Sequence, residues 1–112
     1  MKKLKIDSGV ELFRLPGGVL RFNPADPGLF LRLEQAQEKL KTLDSTVSVQ
    51  DADLQVKELL NWVLGPGNDV HTALCGVNLF APGFNGKPVL QNLMEALTPV
   101  LQQGAEKCAE TC

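Results

Sequence analysis

His71 and Cys75 stand four residues apart, a spacing that brings two side chains to one face of a helix. A cysteine nucleophile needs a base at that reach, and histidine is the usual one. Here Ala73 and Leu74 lie alongside, with no acid nearby to orient the imidazole and no evident oxyanion donors. The pair therefore reads as a surface histidine and a small buried hydrophobe. Cys108 and Cys112 share the same spacing, but a metal would need two more ligands and only Cys75 and His71 could supply them. Both read as ordinary tail thiols. Gly83-Phe84-Asn85-Gly86-Lys87-Pro88 looks at first like a phosphate loop at a helix start. Ala81 stands where the first glycine is required, and Pro88 replaces the hydroxyl residue that would bind Mg²⁺ and removes a cradling amide. The carboxylate pairs Asp51/Asp53 and Glu34/Glu38 read as helix starts and solvated faces rather than acid–base couples. With one histidine and no tyrosine in the chain, no catalytic residue, cofactor site or metal site is expected.

What remains is a binder, and composition narrows its kind. The 112 residues suffice for one domain with one modest core. Aromatic residues make up only 5% of the chain, so that core must be built largely from Leu, Val and Ala. A formal charge of −2 and the lack of a long Lys/Arg run argue against nucleic acid as partner. Met1-Lys2-Lys3 starts like a signal peptide, but no apolar segment follows it, so secretion is not expected. Nor does any apolar stretch approach membrane-spanning length. Three cysteines form an odd set, consistent with reduced thiols in a cytoplasm.

The elements divide the chain in two. Leu4 to Ile6, Val10 to Leu15 and Val19 to Asn23 are short runs separated by Asp7-Ser8-Gly9 and Pro16-Gly17-Gly18, predicting a two- or three-stranded antiparallel meander over residues 1–24. Its middle strand is apolar on both faces, with Val10 and Leu12 on one and Phe13 and Leu15 on the other. Such a sheet either is partly covered or offers a sticky face or open edge to another chain.

From residue 26 onward the period is helical. Asp26 and Pro27 start a helix whose stripe is Leu29, Leu33, Ala36, Leu40 and Leu43. A polar linker from Asp44 to Ser48 leads to a second helix, about Val49 to Leu64, closed by Gly65-Pro66-Gly67. Asp69 caps a short third helix ended by Gly76. Pro88 opens a last one that is expected to kink or restart at Pro99 and to end at Gly104, leaving 105–112 as a flexible tail. The expected fold is α+β and mostly α, a single domain over residues 1–104 with three to four amphipathic helices after the meander. Large apolar residues in the Val77–Lys87 loop either tuck beneath it or face a partner. The candidate partner-binding residues are Phe13, Leu15, Trp62, Leu79, Phe80 and Phe84.

The order of sheet, Phe22-Asn23-Pro24-Ala25-Asp26-Pro27 and a Leu-rich helix with Arg32 resembles small proteins of tailed-phage and prophage tail operons. Leu64-Gly65-Pro66-Gly67, the Leu79-Phe80 loop and Leu93-Met94-Glu95-Ala96-Leu97 with Pro99 fit the same pattern, which spans about Ile6 to Leu101. The family it looks like is the tail assembly chaperones, in particular those of prophages of Gram-positive bacteria. The resemblance implies a non-enzymatic cytoplasmic protein of the bacterial host cell that coats the tape measure protein until tail tube subunits displace it. It also implies self-association into a homo-oligomer, and the tail tube protein as a further partner. Two alternatives belong to other classes: a structural subunit retained in the tail tube or connector, and a small regulatory or antitoxin-like partner.

Overall fold

The computed structural model describes residues 2–42 and 46–111, and only the backbone of Thr111. Leu43, Asp44 and Cys112, named above, lie outside the described residues. The fold is α+β and mostly α. Among the described residues a β-hairpin is followed by four helices: β1 (Glu11–Leu15), β2 (Gly18–Phe22), α1 (Pro27–Lys41), α2 (Val49–Leu64), α3 (Val70–Ala73) and α4 (Val89–Thr111). The sheet has two strands, and Leu4 to Ile6 is not a third among the described residues.

Hairpin register fixes which residues face the helices. Phe13 pairs with Leu20, Leu15 with Gly18, and Glu11 with Phe22, so these share one face. Leu20 and Phe22 are buried, Phe13 stacks on Phe22 with ring centroids 4.6 Å apart, and Phe13 and Leu15 pack on the core. The opposite face carries Val10, Leu12, Arg14, Val19 and Arg21, all exposed. The turn between the strands docks on α3, where the Gly17 amide donates to the Ala73 carbonyl at 2.9 Å. A Cβ at Gly17 would collide with the Thr72 carbonyl, so this contact needs glycine.

The helix boundaries follow from their caps. Asp26 accepts from the Gly28 amide at 2.9 Å with Pro27 as the first helical residue, and Ser48 accepts from the Asp51 amide at 3.1 Å. Asp69 accepts from Thr72, through both its amide and its hydroxyl. Gly65, at φ 103°, closes α2. Arg32 Nε donates to the Val63 carbonyl at 3.0 Å, satisfying one of the terminal acceptors of α2 from α1. Leu29, Ala36, Val56, Val63, Val70, Ala73, Leu93 and Leu97 join the hairpin's inner face in the buried core. At its ends the apolar stripe fades: Leu40 is exposed in α1, as is Val49 in α2.

The last helix runs further than the sequence predicts: it continues through Pro99 without a restart and past Gly104 to Thr111. Proline removes the amide that would reach the Glu95 carbonyl, while the Thr98 hydroxyl donates to the neighbouring Met94 carbonyl at 2.7 Å. Gly104 is not a terminator: it is buried where α4 crosses the chain entering α1, and a Cβ there would overlap the Pro24 carbonyl. Residues 105–111 are helical rather than a separate tail. Glycine is needed at 104 for close approach, which outweighs its poor helix propensity.

One polar group organises the junction of α2, α3 and the following loop. Lys57 is 2% exposed and Asp53 5%, yet both are charged residues on α2. The Lys57 ammonium donates to Asp53 Oδ2 at 2.9 Å, to the Val77 carbonyl at 2.8 Å and to His71 Nδ1 at 2.8 Å. The other Asp53 oxygen accepts the Leu79 amide at 2.7 Å. Asp53 is thus no solvated-face carboxylate: burial and these partners place it inside the fold.

Two stability measurements check this packing. Lys57→Met leaves the Asp53 carboxylate buried without its counter-ion and is expected to cost about 3–5 kcal/mol, whereas Asp53→Leu with Lys57→Met together costs less than Lys57→Met alone. Chemical denaturation of the two variants checks that order. Gly104→Ala is expected to lower stability by about 1–3 kcal/mol through overpacking, even though alanine is the better helix former by about 1 kcal/mol.

Candidate functional site

The titratable residues fall into two groups by what they touch. His71 turns toward Lys57, with Nδ1 2.8 Å from the ammonium. It therefore serves as a ligand of the buried ammonium and not as a base for Cys75. Cys75 itself is exposed, not the small buried hydrophobe expected, because it takes a left-handed conformation at φ 57° that ends α3. The Gly76 amide behind it reaches back to the His71 carbonyl at 2.7 Å, closing that turn. Lys57 spends its three protons on Asp53, Val77 and His71, so its ammonium is saturated as a donor. The cluster does structural chemistry: it neutralises a buried charge and ties three segments together. Among the described residues no group of three His, Cys, Asp or Glu is placed to hold a metal ion, and no helix is long and apolar enough to cross a membrane.

Surface carboxylates show the same local use. Hydrogen bonds from the Thr72 side chain and then its amide hold the Asp69 carboxyl below its ordinary range. Glu95 is lowered likewise, first by its hydrogen bond from Lys87 and then by Gln91. The Lys87–Glu95 pair, at 3.2 Å, fixes the end of the loop to α4.

The six candidate partner-binding residues separate. Leu79 is fully buried, its amide held by Asp53 and its carbonyl by the Leu90 amide, so it belongs to the core and offers no surface. Phe13 and Leu15 lie on the inward face of β1; the outward apolar residues of that strand are Leu12, 68% exposed, with Val10 just before it. Trp62, Phe80 and Phe84 are exposed. Trp62 lies at the C-terminal end of α2 with the Lys39 ammonium 4.6 Å from its ring centroid, a cation–π contact with α1.

Phe84 is the most exposed of all, on a braced loop. Pro82 and Pro88 form an isolated bridge, the Gly83 amide donates to the Lys87 carbonyl at 2.8 Å, and the Gly86 amide donates to the Gly83 carbonyl at 2.9 Å. Asn85 and Asn92 join their side-chain amides at 2.9 Å, pinning the loop to α4. Sequence patterning identifies the loop as apolar but not which of its three large residues turns inward. That choice is made by the Asp53 carboxylate, which captures the Leu79 amide. Exposed apolar groups include the outer face of the hairpin, with Leu4 and Ile6 before it in sequence, and Trp62, Phe80 and Phe84 on the helical part, beside others such as Leu31, Val49 and Leu54.

The lowered Asp69 carboxyl sets a sign for pH dependence. Its contribution is complete above the ordinary carboxylate range of about 4 and is lost only as pH falls through the lower folded value. Acid titration followed by circular dichroism is therefore expected to show Asp69→Asn flattening the low-pH limb, with no difference in slope between pH 6 and 8. Comparison with protein-family models, with curated proteins and with solved structures found no match for this chain.

Proposed function

We propose that this chain is a non-enzymatic binding module of the tail assembly chaperone kind, holding a tape measure protein soluble in the bacterial cytoplasm during tail morphogenesis. The observation that carries the reading is the exposure of large apolar side chains on well-braced elements. Phe84 stands fully exposed on a loop closed by backbone bonds at both ends, and Leu12 is 68% exposed on a paired strand. Apolar groups presented on ordered backbone suit recognition, because little conformational entropy is lost when they are covered. The most buried charged groups, Asp53 and Lys57, are bonded to one another and to backbone, a structural use that leaves the surface to carry function. The Phe22–Pro27 segment, the glycine–proline close of α2 and the α4 pattern supply the family resemblance and with it the partner. Self-association and displacement by the tail tube protein are part of the same proposal.

Co-expression tests it directly. This chain is expected to raise the soluble fraction of its tape measure protein severalfold. Phe84→Ser is expected to reduce that effect while shifting the chain's own stability by less than about 0.5 kcal/mol, as suits an exposed position. Unchanged solubility, together with this chain retained in purified mature tails, would instead identify a structural tail subunit.

A further inference from the structure

The two edges of the hairpin are unlike. On β2, the Arg21 amide donates to Asn68 Oδ1 at 2.6 Å, and the Arg21 carbonyl accepts from Asn68 Nδ2 at 2.8 Å. One side-chain amide thus stands in for the next strand. It is steadied by a second bond to the Gly65 carbonyl at 3.0 Å. Because these Arg21 groups point away from β1, Leu12 and Arg21 form a non-hydrogen-bonded pair. The alternation of the ladder then sends the amide and carbonyl of Leu12 and of Arg14 outward from β1. None of these four groups has a hydrogen-bond partner among the described residues. The β2 edge is capped and the β1 edge is open.

Charge says what the open edge would take. Residues 1–21 carry five Lys/Arg against two Asp/Glu, while the rest of the chain carries six against eleven. Arg14 and Arg21 lie on the outer face beside Leu12 and Val19, exposed and outside any ion pair among the described residues. A strand added next to β1 would set every second side chain beside Leu12 and Arg14. Pairing β1 with β1 of a second copy would bring two of these basic N-terminal segments together, which like charge opposes. We infer that the β1 edge accepts an extended segment of a partner protein that alternates apolar and acidic side chains, by strand addition with a carboxylate opposite Arg14 on the outer face that Arg21 also makes basic. This deepens the reading of the chain as a binding module, naming the surface and the chemistry of the segment, and it does not depend on the partner being a tape measure protein.

The test uses the full chain and two fluorescein-labelled peptides of about ten residues, one alternating valine with glutamate and one alternating valine with lysine. In anisotropy titrations the glutamate peptide is expected to bind at least tenfold more tightly than the lysine peptide, and more weakly as salt is raised. Leu12→Pro removes an outward amide without touching the ladder and should weaken binding at least tenfold. Should that variant disturb the hairpin, Arg14→Glu with Arg21→Glu leaves the backbone intact and should weaken it by a similar factor. Absence of binding, equal binding of the two peptides, or indifference to both variants would overturn the inference. So would a wild-type dimer in sedimentation that Leu12→Pro abolishes, which would give the edge to a second copy. A chain that binds the glutamate peptide but leaves the tape measure protein insoluble keeps this inference and sinks the chaperone reading. Solubilisation undiminished in the edge variants does the reverse.

Discussion

A lysine ammonium leaves water at tolerable cost only when each of its protons finds an acceptor, and the helical body is built around meeting that demand for Lys57. Its three acceptors come from three places: the Asp53 side chain one turn earlier on α2, the His71 ring on α3, and the Val77 carbonyl in the loop beyond. Asp53 extends the connection to the Leu79 amide, and the Leu79 carbonyl reaches the start of α4 through the Leu90 amide. One ion pair therefore relates the positions of α2, α3 and α4. It also decides that Leu79 enters the core, which leaves Phe80 and Phe84 outside.

The hairpin is held by different means. Its inner face contributes Leu20 and Phe22 to the core and stacks Phe13 on Phe22, while its turn lies against the backbone of α3 at Gly17. Asn68, just after the close of α2, bonds the outer edge of β2. A small sheet needs such cover because two strands alone are marginal in water. The cover reaches one face and one edge. The edge of β1 and the apolar groups beside it stay uncovered, and they are the surface we propose for another molecule.

Much of this was legible in the chain. Asp26-Pro27, Ser48, Gly65 and Asp69 mark helix boundaries because capping chemistry is local and needs no knowledge of tertiary contacts. The two strands of the hairpin were readable too, whereas the alternation of Leu4 to Ile6 does not make a third among the described residues. Which face of β1 turns inward was not readable, since both faces are apolar and the choice depends on the pairing of Phe13 with Leu20 and the stacking on Phe22. Gly104 and Pro99 look like stop signals, but a buried glycine at a close crossing and a proline within a long packed helix carry the same letters. Asp53 and Lys57 did leave a trace: opposite charges four apart, with Val56 between them and Ala52 and Leu60 flanking. That spacing usually belongs to a solvated face, and only the acceptors from His71 and Val77, distant in sequence, make burial affordable.

The body is closed around Lys57, and we propose that recognition belongs to the exposed hairpin and the Phe84 loop. Amide hydrogen exchange on the chain alone and on its purified complex with the partner tests this most directly. The account predicts new protection at Leu12, Arg14 and the residues around Phe84 on binding, with the Leu79 amide already protected in the free chain. Protection gained chiefly along α2 and α3, or a Leu79 amide that exchanges as freely as the loop around it, would contradict it.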